Sequence, residues 1–189
     1  MRDMPPQLEA AIRTLLDQKN QVILAIDGPC GGGKSTLAKA ISQRFPDSLV
    51  IHADDFFLQP HQRTPERLGE PGGNLDRERL LEEALKPLKA GNYLGHHRYN
   101  CQTGEMEEVP GVMMPLAIIE GSYSHHPALR DYYDLAVYLD IDETKQLARL
   151  KERGPAVFAP FPDTWIPMEN AYFSCFKIRD RADIRLRAE

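Results

Sequence analysis

The sequence predicts an α/β fold in which a parallel sheet is covered by helices on both faces. Continuous apolar runs of strand length alternate with segments whose apolar residues recur at helical spacing. Such runs are typical of strands that are buried on both sides, as they are in parallel sheets. The chain has 189 residues, which suffice for one domain with its own core and are too few for two domains of the usual size. We therefore predict a single domain over residues 1–189.

The predicted elements are bounded by residues that favour strand and helix ends. One helix stops before Pro46, and another ends or kinks near Pro87 and is closed by Gly91. The predicted strands are 22–27, 48–54, 115–121, 134–142 and 182–188, with a hairpin around the TGE turn of 96–110. The predicted helices are 8–16, 34–45, 76–91, 143–153 and 168–178, with an irregular connection at 59–74 and a proline-rich segment at 155–167.

Composition and charge argue against several classes of protein. The net charge of −5 provides no general field to attract nucleic acid or anionic lipid. No apolar run approaches the length of a membrane span, and the first twenty residues have the pattern of an amphipathic helix rather than of a signal peptide. Three cysteines without metal-ligand spacing indicate neither a disulfide framework nor a zinc site. We expect a cytoplasmic protein with no nucleic-acid or membrane partner, and a homo-oligomer is compatible with the sequence.

A glycine-rich loop follows the first predicted strand. The stretch GPCGGGKST (28–36) fits the pattern G-x-x-x-x-G-K-[ST] of a phosphate-binding loop, or P-loop. Successive backbone N–H groups must surround phosphate oxygens there, and side chains would obstruct the approach. The helix that starts near Lys34 adds the positive end of its dipole. We predict that the nucleotide is bound by Gly28, Gly31, Gly32, Gly33, Lys34, Ser35 and Thr36, with Lys34 on the β- and γ-phosphates and Ser35 on Mg²⁺.

Acidic residues stand at the ends of three predicted strands. They are Asp27, the pair Asp54 and Asp55, and Glu120. Ligands of parallel sheets bind beyond the carboxyl ends of the strands, so these acids are expected beside the P-loop. A carboxylate near a terminal phosphate can orient an acceptor hydroxyl and take its proton.

The P-loop, the stretch HADDFF (52–57) and the stretch LAIIEG (116–121) together resemble the uridine kinase family of P-loop kinases, which includes nicotinamide riboside kinases. The resemblance implies that Asp54 is the catalytic base and that Glu120 lies near the metal and its waters. GGNLDRERL resembles the segment that carries the family's ribose-contacting aspartate, which implies that role for Asp76. The alternative is that Asp76 is only the N-cap of its helix.

The hairpin RYNCQTGE resembles the family's segment beside the acceptor base. The resemblance implies that Tyr99 contacts the acceptor, whereas Asn100 replaces the usual aspartate and the pyrimidine-reading histidine is missing. Tyr123, His125 and His126 follow a catalytic strand. Tyr123 is therefore predicted to face the acceptor, while exposed loop residues are the default for the two histidines.

QLARLKER resembles the start of the family's mobile lid, placed here at about 149–165. Arg149 and Arg153 are then the candidates for γ-phosphate contact, because a guanidinium binds phosphate oxygens bidentately. The alternative is a solvated helix face. Trp165, in WIPMENAYF, either lines the acceptor pocket or only packs. Cys30 lies in the P-loop, where the helix N-terminus and Lys34 favour a reactive thiolate; the alternative is an inert small residue.

The predicted activity is a small-molecule kinase. ATP with Mg²⁺ would donate its γ-phosphate to a hydroxyl of a nucleoside-like acceptor, with Lys34, Asp54, Glu120, Arg149 and Arg153 as the catalytic residues. Uridine and cytidine are not expected to be strongly preferred, because the pyrimidine-reading histidine is missing. The alternatives are a kinase for another metabolite, such as nicotinamide riboside or a vitamin precursor, and a nucleotide-dependent switch without a small-molecule acceptor.

Overall fold

The computed structural model describes residues 4–188, so residues 1–3 and 189 of the predicted domain lie outside the described residues. Within residues 4–188, five parallel strands form one sheet in the order β2-β5-β1-β6-β7, and β3 and β4 form a separate antiparallel hairpin. The predicted α/β class is confirmed. The strands are β1 (Val22–Asp27), β2 (Ser48–His52), β3 (Gly95–Asn100), β4 (Glu105–Pro110), β5 (Leu116–Glu120), β6 (Leu135–Asp140) and β7 (Ile184–Arg187).

Helices cover both faces of the sheet. Alternate residues of β1 point to opposite sides, so Leu24 packs with the helices over 6–18 and 34–44 while Ile23 packs with the helix over 77–90. The helices are α1 (Pro6–Gln18), α2 (Lys34–Arg44), α3 (Pro65–Gly69), α4 (77–90), α5 (Glu143–Lys151), α6 (Pro155–Phe158), α7 (Ile166–Phe176) and α8 (Ile178–Arg181). Among residues 4–188, no helix combines the length and apolarity that crossing a bilayer requires.

Helix α4 passes through Pro87, where we predicted an end or a kink. Its first turn (Arg77–Leu80) is followed by a π-helical segment (Leu81–Leu85) and a last α-helical segment (Lys86–Ala90). A proline lacks the N–H of an ordinary helical hydrogen bond, and a wider π turn just before it changes the backbone pairing there. The helix is closed by left-handed Gly91, as predicted.

Two predictions around the second strand are corrected. Strand β2 ends at His52, and a 3₁₀ turn (Ala53–Phe56) replaces its predicted last residues. The connection 59–74 also contains a 3₁₀ turn (Pro60–Gln62) and the short helix α3, which is N-capped by the Thr64 hydroxyl. The 3₁₀ turn after β2 gives Asp54 and Asp55 different surroundings, with consequences for the candidate active site.

Candidate active site

The glycine loop begins at Gly28, directly after the last residue of β1. Gly28 has φ +145°, and a Cβ there would lie 2.2 Å from the Leu139 carbonyl oxygen of β6, so this position requires glycine. The buried Asp27 carboxylate anchors the loop by accepting hydrogen bonds from the Gly28 N–H (2.7 Å) and the His125 N–H (2.9 Å). Tyr172 of α7 donates its hydroxyl to the same carboxylate at 2.8 Å. The loop is therefore held from the sheet and from a distant helix.

Lys34 lies at the first position of α2 and is buried against the loop. Its ammonium donates to the Gly28 carbonyl (2.7 Å), the Pro29 carbonyl (3.2 Å) and the Ser122 hydroxyl (3.3 Å). Ser35 and Thr36 follow at the exposed start of the same helix. The loop thus presents one cation, two hydroxyls and a helix N-terminus at one place, which is the arrangement an anion requires.

Glu120 and His52 end neighbouring strands and lie side by side. They face each other in the β2–β5 register, and His52 Nδ1 is 2.5 Å from Glu120 Oε1. The hydrogen bond to the Glu120 carboxylate raises the pKa of His52. Gly121 follows with φ +146°, and a Cβ there would come within 2.7 Å of the Ala53 Cβ and 3.3 Å of Asp54 Oδ1. Gly121 is therefore needed for the close approach of the Asp54 turn.

The two adjacent aspartates differ in their surroundings. Asp54 lines the cleft and stays open to it, yet protein encloses it on its other sides, and this burial raises the pKa of its carboxyl. The Lys34 ammonium opposes that rise in pKa and the Glu120 carboxylate reinforces it. Asp55 is buried and accepts from His96 Nε2 at 3.1 Å, while His96 Nδ1 lies 2.8 Å from the Tyr93 hydroxyl. Only Asp54 of the pair lines the cleft.

The cleft is a cavity of about 470 Å³ that joins the glycine loop to the strand-end acids. Its side chains come from the glycine loop, the Asp54 turn, the segment 63–74, the hairpin and the segment after α6. The lining residues include Lys34, Ser35, Thr36, Asp54, Phe57, Arg63, Asn74, Cys101, Glu120, Ser122, Tyr123, Arg153, Phe161, Trp165 and Glu169. The predicted P-loop, base and strand-end glutamate are thus in one place.

Two predicted acceptor residues do not line this cavity. Asp76 is the N-cap of α4, where its carboxylate accepts from the Arg79 N–H (3.0 Å) and from Gln62 (2.8 Å). The helix-cap alternative therefore describes its contacts, and Asn74 lines the cavity in its place. Tyr99 is 5% exposed and is also absent from the lining, whereas Tyr123 lines the cavity as predicted.

The predicted lid arginines lie beside the outer side of the glycine loop. Arg149 donates to the Gly31 carbonyl at 3.1 Å. Arg149 and Arg153 border a second cavity of about 300 Å³ together with Gly31, Gly32, Gly33 and Thr36. Arg153 borders both cavities, so it lies where the two meet. Of the alternatives for Trp165, the structure shows a half-buried ring that lines the main cavity.

Glu169 of α7 is a cavity residue that the sequence reasoning missed. Its buried carboxylate accepts from the Cys30 N–H (2.8 Å) and from the Ser122 hydroxyl (2.6 Å), and Ser122 also accepts from Lys34. The Glu169 carboxylate on α7 therefore contacts both the glycine loop and Ser122, which in turn contacts Lys34. The signal in the sequence was Glu169 itself, four residues after Trp165 in WIPME.

The surroundings of Cys30 bear on its two alternatives, a reactive thiolate and an inert small residue. Burial and the adjacent Glu169 carboxylate raise the pKa of the Cys30 thiol to about 12, and Gln146 donates to its sulfur at 3.3 Å. The helix terminus and Lys34 do not overcome burial and a neighbouring anion. The inert alternative is the one that the geometry supports.

The raised pKa of the Cys30 thiol predicts the order in which the three cysteines are alkylated. At pH 8 the exposed Cys101 and Cys175 should react with iodoacetamide well before Cys30. Glu169→Gln removes the neighbouring negative charge, so Cys30 should then react faster at every pH, which peptide mass spectrometry would measure. If Cys30 reacted first in the wild-type protein, the pKa argument would be wrong.

The two loop histidines were expected to be exposed, but both are buried. His125 is buried and its Nε2 lies 3.2 Å from the Ala25 carbonyl oxygen, while His126 caps the 3₁₀ turn Pro127–Tyr132 and stacks on Tyr172. Burial lowers the pKa of His125 and lowers that of His126 to about 4. Both histidines are neutral parts of the core.

The oxygen donors of the cleft fit Mg²⁺. Ser35, Asp54 and Glu120 all line it, and Mg²⁺ uses one or two carboxylates together with waters and phosphate oxygens. No cluster of three or more His, Cys, Asp or Glu ligands occurs within residues 4–188.

A parallel sheet, a glycine loop that opens a helix and strand-end carboxylates are together features of a P-loop nucleotide-binding fold. No family model matches the chain. Over 150 residues, 72% of this chain and 72% of the relative, the chain is 29% identical to a protein named uridine kinase from Clostridium novyi (strain NT). It is 26% identical over 151 residues to one of the same name from Clostridium tetani (strain Massachusetts / E88), covering 72% of this chain and 71% of the relative.

A solved structure extends the similarity of fold to almost the whole chain. It is named "possible uridine kinase" and comes from Bacillus stearothermophilus. Its TM-score is 0.70 at 22% identity, over 95% of this chain and 99% of that one. The chain is thus similar in sequence to proteins named uridine kinase, and its fold is similar to that of a structure named possible uridine kinase.

Proposed function

We propose that the protein is an ATP-dependent kinase that transfers the γ-phosphate to a hydroxyl of a small, nucleoside-like acceptor. The observation that carries this proposal is that Asp54 and Lys34 line one cavity. A base for the acceptor and a cation for the donor are therefore available at the same place. The relatives named uridine kinase support an acceptor of this kind.

Each reacting group has a candidate partner in the chain. The Asp54 carboxylate accepts the proton of the acceptor hydroxyl, whose oxygen forms the new bond to the γ-phosphorus while the bond to the β-phosphate oxygen breaks. The glycine-loop N–H groups and Lys34 stabilise the charge on the β- and γ-oxygens. Arg153 lies at the junction of the two cavities, where a guanidinium can bind the transferring phosphate, and Arg149 holds the outer side of the loop.

Mg²⁺ would be held by Ser35 and Glu120, and when bound it would neutralise phosphate charge. His52 Nδ1 contacts the Glu120 carboxylate, and this contact favours the protonated form of His52. Phe161, Trp165 and Tyr123 supply apolar walls that limit the access of water to the reacting groups.

The experiment that tests the activity is ADP release in the presence of candidate acceptors. Nucleosides, nicotinamide riboside, pantothenate and simple sugars would be compared at equal concentration with Mg²⁺-ATP. Release that depends on one acceptor supports a kinase. Slow release that no acceptor accelerates would favour the alternative of a nucleotide-dependent switch.

The proposed base predicts the acid limb of the pH profile. Ionised Asp54 is the active form, so kcat/KM for the acceptor is lost as the pH falls through the pKa of its carboxyl in the free enzyme. Burial raises that pKa above the ordinary value for an aspartate. The acid limb of kcat/KM should therefore lie at a higher pH than an ordinary aspartate would give. A kcat/KM that fell only at or below the ordinary aspartate pKa would contradict this role for Asp54.

A further inference from the structure

Asn74 is a buried polar residue whose side chain has no polar partner within residues 4–188. It is 6% exposed and lines the main cavity. Its backbone is engaged, since the Asn74 carbonyl accepts from the Leu58 N–H at 3.1 Å, but its amide makes no hydrogen bond there. Buried side-chain amides are nearly always paired in proteins. An unpaired amide in a cavity wall is therefore available for a ligand.

Arg63 lines the same cavity as Asn74. Its Nε donates to the Leu58 carbonyl at 2.9 Å, which fixes the base of the guanidinium and leaves the two terminal nitrogens without a protein acceptor in the described chain. The Phe57 N–H, just before Leu58, makes a 3.5 Å contact with the Asp54 carbonyl. The backbone thus ties Arg63 and Asn74 to the turn that carries Asp54.

The other arginines of this segment have acidic partners. Arg67 and Arg77 pair with Glu70 and Glu78. Arg79 pairs with Asp76 and lies near Glu83. Within the described part of the segment 63–79, Arg63 is the arginine without a carboxylate within 4.0 Å. Arg63 is thus an exposed arginine that borders the cavity and pairs with no carboxylate of the described chain.

We propose that Arg63 and Asn74 bind an anionic group, a carboxylate or a phosphate, that is carried by the acceptor. The proposal rests on the proposed transfer to a hydroxyl in this cavity, and it narrows the acceptor to a hydroxylated anion. Two guanidinium N–H groups and an amide N–H₂ match the oxygens of such a group, and the partners are then paired on both sides. Asp76, the carboxylate expected to hold a neutral ribose, is engaged in its helix cap.

The test measures binding without turnover. The protein is saturated with Mg²⁺ and a non-hydrolysable ATP analogue, so that the glycine loop cannot bind the probes. Matched pairs are then titrated by calorimetry: glycerate against glycerol, pantothenate against panthenol, orotidine against uridine, and ribose 5-phosphate against ribose. The first three pairs report a carboxylate and the last a phosphate. We expect the anionic member of at least one pair to bind on the order of tenfold more tightly or better.

Variants assign the difference to these two side chains. Arg63→Gln should remove the preference for the anion and leave the neutral member unchanged, while Arg63→Lys should restore part of it. Asn74→Ala should weaken the anion alone. Arg98→Gln is the control, because Arg98 is an exposed hairpin residue that pairs with Glu107 outside the cavity.

Two results would overturn the proposal. One is that no anion in the four pairs binds more tightly than its neutral partner. The other is that the preference survives in Arg63→Gln. Failure of the proposed kinase activity would instead be seen as acceptor-independent ADP release, so the two failures are distinguishable.

Discussion

Asp54→Asn should lower kcat on the order of a hundredfold or more, because the amide keeps the shape of the side chain and cannot take the acceptor proton. The affinity for ATP should change far less.

The Asp54→Asn variant should also be more stable than the wild-type protein at neutral pH. Burial raises the pKa of Asp54, so the ionised carboxylate destabilises the folded state as the pH rises from the ordinary aspartate pKa through the raised one. The stability gain should therefore vanish in acid. Steady-state kinetics and thermal unfolding at several pH values measure both effects.

Asp55→Asn is the matched control for Asp54→Asn. Asp55 faces His96 and lies outside the cavity lining, so its replacement should affect stability more than kcat. If Asp55→Asn were crippling and Asp54→Asn mild, the assignment of the base to the first acid would be wrong.

Lys34→Ala should lower turnover by at least on the order of a hundredfold, since the loop would lose the cation that stabilises charge on the β- and γ-phosphates. The lysine donates to the Gly28 and Pro29 carbonyls, and these contacts would be lost as well. Lys39→Ala is the control, because Lys39 is an exposed residue of the same helix. Both variants should be shown to be folded by circular dichroism before the kinetics are compared. Near-normal turnover in folded Lys34→Ala would rule out the assignment.

The local part of the site was predictable from the sequence. Strand β1, the glycine loop and the start of α2 are contiguous, and the spacing of Gly28, Gly33 and Lys34 carries their geometry. The carboxyl ends of parallel strands lie at one edge of the sheet, which is why the prediction of a parallel sheet was enough to place Glu120 and the Asp54 turn close together.

The remote part of the site was not predictable in this way. Glu169 meets Cys30 across 139 positions of sequence, and no local pattern encodes that contact. Asp76 and Asn74 are two residues apart, and only the start of α4 decides that one caps the helix and the other lines the cavity. The sequence left the two alternatives for Cys30 open because the burial that raises its pKa comes from α5 and α7, which pack on the loop from elsewhere in the chain.

The measurement that tests phosphoryl transfer most directly is the stoichiometry of products. An acceptor that stimulates ADP release would be incubated with Mg²⁺-ATP, and ADP, inorganic phosphate and phosphorylated acceptor would be quantified by mass spectrometry and phosphate assay. We predict one phosphorylated acceptor for each ADP, little inorganic phosphate, and loss of both products in Asp54→Asn and Lys34→Ala. Equal amounts of ADP and inorganic phosphate with no phosphorylated acceptor, at a rate indifferent to Asp54→Asn, would contradict a kinase and indicate hydrolysis alone.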